Sequence, residues 1–186
     1  MVRGIVIMTT HESEGQGTAS NRTEKFLTFN LGGEQYGLEI LKVKEIIGLM
    51  EITRVPRTPE YVRGVINLRG KVIPVIDLRK KFAMDSIDDT EQTCIIVVEI
   101  TVENSSIQMG IIVDSVSEVL DIESSDIEET PTFGTTVSTD FIKGLAKTKG
   151  GVKIILNIDE VLSTDEIHTI SKSTPSNLED AKSDQY

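Results

Sequence analysis

The chain has 186 residues and a formal net charge of −11 at pH 7. This length suits one domain with a hydrophobic core of its own, and the acidic balance excludes non-specific binding to nucleic acid, because neutralising phosphates needs a basic surface. The single cysteine, Cys94, excludes an intramolecular disulfide and indicates a reducing compartment. No apolar run approaches the roughly 20 residues of a membrane-spanning helix, so we expect a cytoplasmic protein without direct membrane insertion.

Both ends of the chain are polar. Residues 10–24 and 171–186 contain few apolar side chains, which is typical of flexible segments. We therefore expect a flexible N-terminal arm over residues 1–23, a folded domain over residues 24–165 and a flexible C-terminal tail over residues 166–186.

The first elements of the domain are a hairpin and a short amphipathic segment. Alternating apolar residues on either side of Gly32-Gly33 predict two antiparallel strands. In the segment 41–49 that follows, Val43, Ile46 and Ile47 recur at helical spacing, which predicts a short helix.

The remaining apolar runs are strand-like and are separated by turn residues. The predicted strands are Val62–Leu68, Val72–Leu78, Thr93–Val102 and Ile107–Val113. Pro74 lies inside the second of these and predicts an edge strand or a bulge, because proline cannot donate to a strand ladder. Short strands at this spacing predict an all-β barrel or sandwich.

The chain also contains a faint internal repeat. The series Tyr36-Gly37, Val43, Ile46, Ile47, Pro56 and Tyr61–Gly64 resembles the later series Met109-Gly110, Val116, Val119, Leu120, Pro131 and Phe141–Gly144. Each series then continues through a glycine-containing turn into an Ile/Val strand. A duplication of this kind predicts two small β-barrels of similar plan with a groove between them.

Charge is distributed unevenly along the chain. Residues 41–81 carry ten Lys/Arg and four acids, whereas residues 82–142 carry fourteen acids and no base. This pattern has two interpretations, a solvated surface that maintains solubility or a polarised surface that orients partners on approach. The sequence alone does not choose between them.

The sequence offers no convincing catalytic, cofactor or metal site. His11 and His168 lie in or beside the predicted tails, and Cys94 lies in an apolar strand that favours a buried, structural thiol. Acids at 85–91 make calcium conceivable, but the EF-hand pattern is missing. The segment from Gly64 to Lys71 resembles a phosphate-binding loop only superficially, since its spacing is wrong and valine follows the lysine. We therefore predict a non-enzymatic binding module.

The most informative surface residues are apolar side chains next to charges. Val43, Glu45 and Ile46 belong to a segment that cannot bury all of its apolar residues on one narrow stripe. The Arg69-Gly70 turn is a second exposed feature. Part of this surface is expected to face the second barrel or a partner.

Two longer runs resemble a known family. The run from Tyr36 to Ile46 resembles the first signature of the CheW family, and the run from Val62 to Arg79 (VRGVINLRGKVIPVIDLR) resembles its most specific one. The similarity extends over roughly residues 24–165. It implies an all-β fold with a few short helices, built as two intertwined five-stranded SH3-like β-barrels split near residue 90 with exchange of segments.

The resemblance also implies a function and a set of residues. CheW-like proteins are non-catalytic adaptors in chemotaxis that bind the cytoplasmic hairpin tip of chemoreceptors and the regulatory domain of the histidine kinase CheA, in arrays at the membrane. Carried over by position, Val43, Glu45, Ile46 and Arg69 are expected to contact the receptor. Gly64 and Gly70 match structural turn glycines, and Gly110 and Val119 are candidates for the groove between the barrels.

Alternatives remain within and outside this family. The same domain occurs fused to a receiver domain in CheV-type proteins and as the regulatory domain of CheA, although this chain shows neither receiver-like repeats nor kinase motifs. Outside the family, a small β-barrel enzyme or ligand-binding protein is the other class, which a bound small molecule or metal-dependent turnover would favour.

Overall fold

The structure is a computed structural model that describes residues 21–131 and 139–173. These residues form mostly β-structure with two short α-helices, α1 (Leu78–Lys81) and α2 (Thr164–Ser173). Single turns of 3-10 helix occupy Ile40–Lys42, Ser124–Asp126 and Ile158–Glu160. The strands are β1 (Thr23–Leu31), β2 (Glu34–Glu39), β3 (Val43–Gly48), β4 (Val62–Leu68), β5 (Lys71–Asp77), β6 (Cys94–Val102), β7 (Ser105–Val113), β8 (Ser115–Glu123), β9 (Ile127–Glu128), β10 (Ile142–Thr148) and β11 (Gly151–Leu156).

The strands form two sheets, each drawn from both halves of the chain. The order is β3-β6-β7-β5-β4 in the sheet of the first barrel and β8-β1-β2-β11-β10-β9 in that of the second. The expectation of an all-β fold of two intertwined barrels is confirmed. The first barrel has the five expected strands, and the second adds the two-residue strand β9.

Each half of the chain lends a hairpin to the other half. The hairpin β1–β2 pairs with β8 and β11, and the hairpin β6–β7 pairs with β3 and β5. The β2–β11 and β5–β7 pairs are parallel, whereas the other strand pairs among the described residues are antiparallel. Residue 90 lies in the loop between α1 and β6, outside the strands. Neither barrel can therefore form without strands from both sides of that loop.

Three apolar clusters follow from this arrangement. The largest lies between the two sheets and includes Phe29, Leu38, Ile96 and Ile111. A smaller cluster on the far face of the first sheet fills the first barrel, and another around Phe26 fills the second. Because the largest cluster takes side chains from both sheets, its burial ties the two barrels together.

The helix predicted over residues 41–49 is wrong. After the single 3-10 turn at Ile40–Lys42 the chain continues as strand β3. The β3–β6 register shifts by one residue at Lys44, so Val43 and Ile46 lie opposite Val98 and Ile96. This bulge puts residues three apart on the same face of a strand, a spacing that otherwise indicates a helix.

Of the two alternatives predicted for Pro74, the edge strand is wrong, whereas a bulge does lie beside it. Strand β5 lies between β4 and β7, and its register with β4 shifts next to Pro74, between the pairs Val62–Ile76 and Gly64–Val75. Pro74 lies opposite Val65, whose N–H and carbonyl both bond to Thr53 on the outer side of β4. The proline nitrogen therefore faces β7. Because β5 pairs with β7 only from Val75 onwards, the missing N–H of Pro74 removes no hydrogen bond between these strands.

The flexible tail predicted from residue 166 begins too early. Helix α2 continues to Ser173, and its Ile167 and Ile170 are buried in the main core. Ser163 and Glu166 form a capping box, in which the Ser163 N–H donates to the Glu166 carboxylate and the Glu166 N–H donates to the Ser163 hydroxyl. Residues 174–186 and 1–20 lie outside the described residues.

No helix in the described part of the chain is both long enough and apolar enough to cross a membrane.

We expect Ile167→Ala to lower the free energy of unfolding by about 2–4 kcal/mol, because it removes buried methyl groups and leaves a cavity under α2. Urea unfolding followed by circular dichroism measures the loss. The exposed Lys172 on the same helix provides the control, and Lys172→Ala should change stability by less than about 0.5 kcal/mol. Equal effects of the two substitutions would contradict the docking of α2 on the core.

The ionisation of the Glu166 carboxyl is expected to make the free energy of unfolding depend on pH. Burial would raise the pKa of its carboxyl, but hydrogen bonds from Lys81, Tyr61 and Ser163 more than offset this and lower the pKa to about 2. A carboxyl whose pKa is depressed on folding stabilises the protein above its unfolded-state pKa, near 4.5, and loses that contribution as the pH falls towards 2.

We therefore expect Glu166→Gln to be less stable than wild type at pH 7 and the gap to shrink between pH 5 and pH 2. Urea midpoints at a series of pH values test this, with the exposed Glu160→Gln as control. A gap that stays constant over this range would show that the charge of Glu166 contributes nothing.

Candidate protein-binding site

The candidate site lies along strand β3 at one edge of the first sheet. In the described part of the chain, β3 pairs with β6 alone, so its other edge is open. Val43 and Ile46 lie on the face that meets the main core, and Ile46 remains 44% exposed at the margin. Glu45 lies opposite Val97, on the face that meets the first barrel's own cluster.

Arg69 reaches this strand from the hairpin turn between β4 and β5. Arg69 and Gly70 are the two central residues of the turn, with φ angles of 52° and 83°. The Asn67 side chain accepts a hydrogen bond from the Gly70 N–H at 3.0 Å. Turns with two positive φ angles favour Asn and Gly, so an arginine at the first position adds backbone strain of about 1 kcal/mol. Strained residues of this kind cluster at functional sites.

Glu45 and Arg69 form a bidentate ion pair. The two guanidinium nitrogens Nη1 and Nη2 donate to the Glu45 carboxylate oxygens at 2.8 and 2.9 Å. The Arg69 side chain is nevertheless 77% exposed, whereas that of Glu45 is 24% exposed. The carboxylate therefore holds the guanidinium in one orientation while leaving its outer side open to a partner.

The ion pair closes a seam of the first barrel. It lies over a cleft of about 250 Å³ between β3 and the β4–β5 turn. The cleft is lined by Lys44, Glu45, Leu68, Arg69, Lys71, Val97 and Gln108. The four predicted receptor residues thus form two groups around β3. Glu45 and Arg69 form a charged pair between the strand and the turn, and Val43 and Ile46 form an apolar pair on the other face of the strand.

Glycine is required at position 64 because the backbone of Thr53 lies very close to it, and not because the residue lies in a turn. It lies within β4 at the register shift, with a φ of 143°, and a Cβ there would be 2.1 Å from the Thr53 carbonyl oxygen. The assignment of Gly64 to a turn is therefore corrected, whereas Gly70 does lie in the β4–β5 turn. Gly144 marks the matching register shift between β10 and β11, in agreement with the predicted repeat.

Gly110 does not line a groove between the barrels. A Cβ on it would lie 2.8 Å from Ile95 Cγ2 and 3.2 Å from Val75 Cγ2, inside the cluster that fills the first barrel. The groove assignment of Gly110 is therefore corrected. Val119 is an exposed residue of the edge strand β8, opposite the buried Leu27.

Two arginines that sequence reasoning left without a role form ion pairs at the end of the first sheet opposite the Arg69 turn. The Arg79 Nε and Nη2 atoms donate to the two Asp114 carboxylate oxygens at 2.7 Å, and its Nη1 donates to the Asp85 carbonyl. Asp114 also accepts from the Gly32 N–H; burial would raise its pKa, but these bonds lower it. Arg63 joins Asp77 and Asp89. Both arginines lie in the run from Val62 to Arg79 that resembles the second family signature, and this was the sequence signal that could have identified them.

Part of the acidic stretch, five of its fourteen acids, is paired with Lys or Arg within the described part of the fold. Its acids bond to bases from outside the stretch: Asp89 to Arg63, Glu99 to Lys44, Asp114 to Arg79, Asp121 to Lys25 and Glu128 to Lys147. Three of these pairs, those of Glu99, Asp114 and Asp121, join the two halves of the chain, so part of the acidic charge serves contacts between halves.

The described residues hold no group of three or more His, Cys, Asp or Glu side chains placed to bind a metal ion. Cys94 is half-buried, and burial raises the pKa of its thiol. The thiol is therefore less reactive than a free cysteine.

Comparison with known proteins places the chain in a family. A family model described as CheW-like domain matches residues 25–166. The chemotaxis protein CheW of Klebsiella aerogenes is 40% identical over 144 residues, which cover 77% of this chain and 84% of that protein. CheW of Bacillus subtilis is 36% identical over 147 residues, covering 78% and 91%.

A solved structure gives the same result. The scaffolding protein TtCheW from Thermoanaerobacter tengcongensis superposes with a TM-score of 0.69 at 39% identity, covering 78% of this chain and 97% of that one. Because the family consists of scaffolding proteins, the prediction of a non-catalytic protein is confirmed. The chain belongs to the CheW-like family of chemotaxis scaffolding proteins.

Proposed function

We propose that this protein couples chemoreceptors to the histidine kinase CheA, by binding the cytoplasmic hairpin tip of the receptor and the regulatory domain of the kinase. It does so in the cytoplasm, recruited to receptor arrays at the membrane. The observation that carries the proposal is the Glu45–Arg69 ion pair beside the partly exposed Ile46 on an open strand edge.

The apolar part of this edge suits a helical partner. Ile46 is partly exposed, and Leu41, just before β3, is the most exposed large apolar residue in the described ranges. An amphipathic helix buries such side chains with residues spaced three or four apart. A receptor hairpin presents helices of this kind, so apolar residues of its tip would pack on Ile46 and the outer part of Val43.

The charged part of the edge suits orientation of that partner. Charged interface groups fix register and exclude wrong partners more than they add affinity. Arg69 is held on one side by Glu45 and open on the other, so its position is set before the partner arrives. Such preorganisation reduces the entropy lost on binding.

We expect the purified chain to retain a receptor cytoplasmic fragment and CheA, with receptor control of kinase activity only in the ternary mixture. Arg69→Glu should weaken receptor binding at least about tenfold in a titration and leave CheA binding unchanged, because it reverses the charge at the anchor. The exposed Arg54 does not line the cleft, so Arg54→Glu is the matched control.

The double variant Glu45→Arg with Arg69→Glu controls for folding, since it keeps an ion pair but exposes the opposite charge at the turn. It should unfold near the wild-type midpoint and still bind receptor weakly. An Arg69→Glu variant that folds normally and binds receptor as tightly as wild type would rule out the anchor role.

The strained turn allows stability and binding to be separated. Asn tolerates a positive φ better than Arg, so Arg69→Asn should relieve strain and offset the loss of an exposed ion pair. We expect the free energy of unfolding to change by no more than about 1 kcal/mol while receptor affinity falls. A loss of stability above about 2 kcal/mol in urea unfolding would show that Arg69 is a structural residue instead.

A further inference from the structure

The second barrel has a seam that corresponds to the one closed by Glu45 and Arg69. In the first barrel Val43 lies opposite Val98 and Ile46 opposite Ile96. In the second barrel, Val116 lies opposite Phe29 and Val119 opposite Leu27, with the same shift of one residue. Glu118 on β8 therefore occupies the place that Glu45 has on β3, and the 49% exposed Val119 the place of Ile46.

The hairpin turns that face these glutamates differ. The β10–β11 turn is Lys149-Gly150, flanked by Thr148 opposite Gly151, and its positive φ of 105° is at Gly151. Lys149 does not have the positive φ that Arg69 has, so its side chain leaves the backbone in a different direction. Within the ranges that the structure describes, Glu118 makes no ion pair.

The second seam is consequently open. Its cleft measures about 620 Å³, against about 250 Å³ in the first barrel. The cleft is lined by Glu118, Leu120, Asp121, Ile122, Asp126, Lys147, Thr148, Lys149, Gly150 and Lys153. Three of its five other charged side chains are hydrogen-bonded: Lys147 to Glu128, the buried Lys153 to Gln35 and Lys25 to Asp121. Asp126 and Lys149 make no ion pair among the described residues.

The backbone of Glu118 is held in place from behind. The buried Thr28 hydroxyl donates to the Glu118 carbonyl at 2.8 Å and accepts from its N–H at 3.2 Å. The Glu118 carboxylate is carried on this held backbone and stands at an open cleft, whose counterpart in the first barrel holds a guanidinium. The bidentate fork of arginine matches a carboxylate better than an ammonium does.

We propose that this cleft binds an arginine side chain of a partner protein, with Glu118 accepting the guanidinium as Glu45 accepts that of Arg69. The aliphatic part of the incoming side chain packs on the partly buried Leu120. The second barrel thus takes from a partner the group that the first barrel supplies itself. This site is separate from the proposed receptor-binding edge.

The isolated full-length chain tests this with N-acetyl-argininamide as the probe and the ¹⁵N–¹H spectrum as readout. We expect saturable shifts of the Leu120, Thr148 and Gly150 amides, and none with the uncharged citrulline analogue at equal concentrations. Glu118→Gln should weaken binding about fivefold, the upper end of what one exposed ion pair contributes. The exposed Glu91→Gln is the control for net charge and should bind like wild type.

Equal binding by Glu118→Gln and wild type would overturn the proposal, as would equal shifts from the citrulline analogue. Shifts confined to the first barrel around Glu45 and Arg69 would overturn it too. Because neither receptor nor CheA is present, the result is independent of the coupling function.

Discussion

The exchange of hairpins between the two halves is the constraint on which the rest of the structure depends. The parallel pairs β2–β11 and β5–β7 insert each hairpin into the other half's sheet, and a glycine lies at each junction, Gly37 opposite Ile155 and Gly110 opposite Val75. A Cβ at either glycine would lie under 3 Å from an isoleucine side chain, Ile155 or Ile95. The main core then takes residues from both sheets, so unfolding one barrel exposes the core of the other.

This frame gives the candidate site its geometry. Glu45 and Arg69 lie on an edge strand and on a hairpin turn, elements that do not pair with each other in the sheet. Only the closed curvature of the barrel brings the turn against the strand. An exposed ion pair contributes little to stability, and Arg69 also has a strained φ, so the pair is better explained by preorganisation of a binding surface than by folding energy.

Because of the duplication, the surfaces of the two barrels can be compared directly within one chain. Their registers and bulges agree, yet the first closes its seam with its own arginine whereas the second leaves its glutamate open. Two similar folds in one chain can thus carry unlike surfaces. For a scaffolding protein this is useful, because it must hold different partners at the same time without catalysis.

The sequence by itself determined the β-rich class, most strand positions, the duplication and the run that contains Arg69, because these depend on alternation, turn residues and local motifs. It did not determine β3, since a bulge at Lys44 produces helical spacing in a strand, nor α2, whose burial depends on a distant core. Three features depend on residues that are far apart in the chain: the Glu45–Arg69 contact, the packing of Gly110 in the first barrel's cluster, and the ion pairs of the acidic stretch. Only the tertiary structure decided these, because strand exchange and barrel closure leave no periodic signal in the sequence.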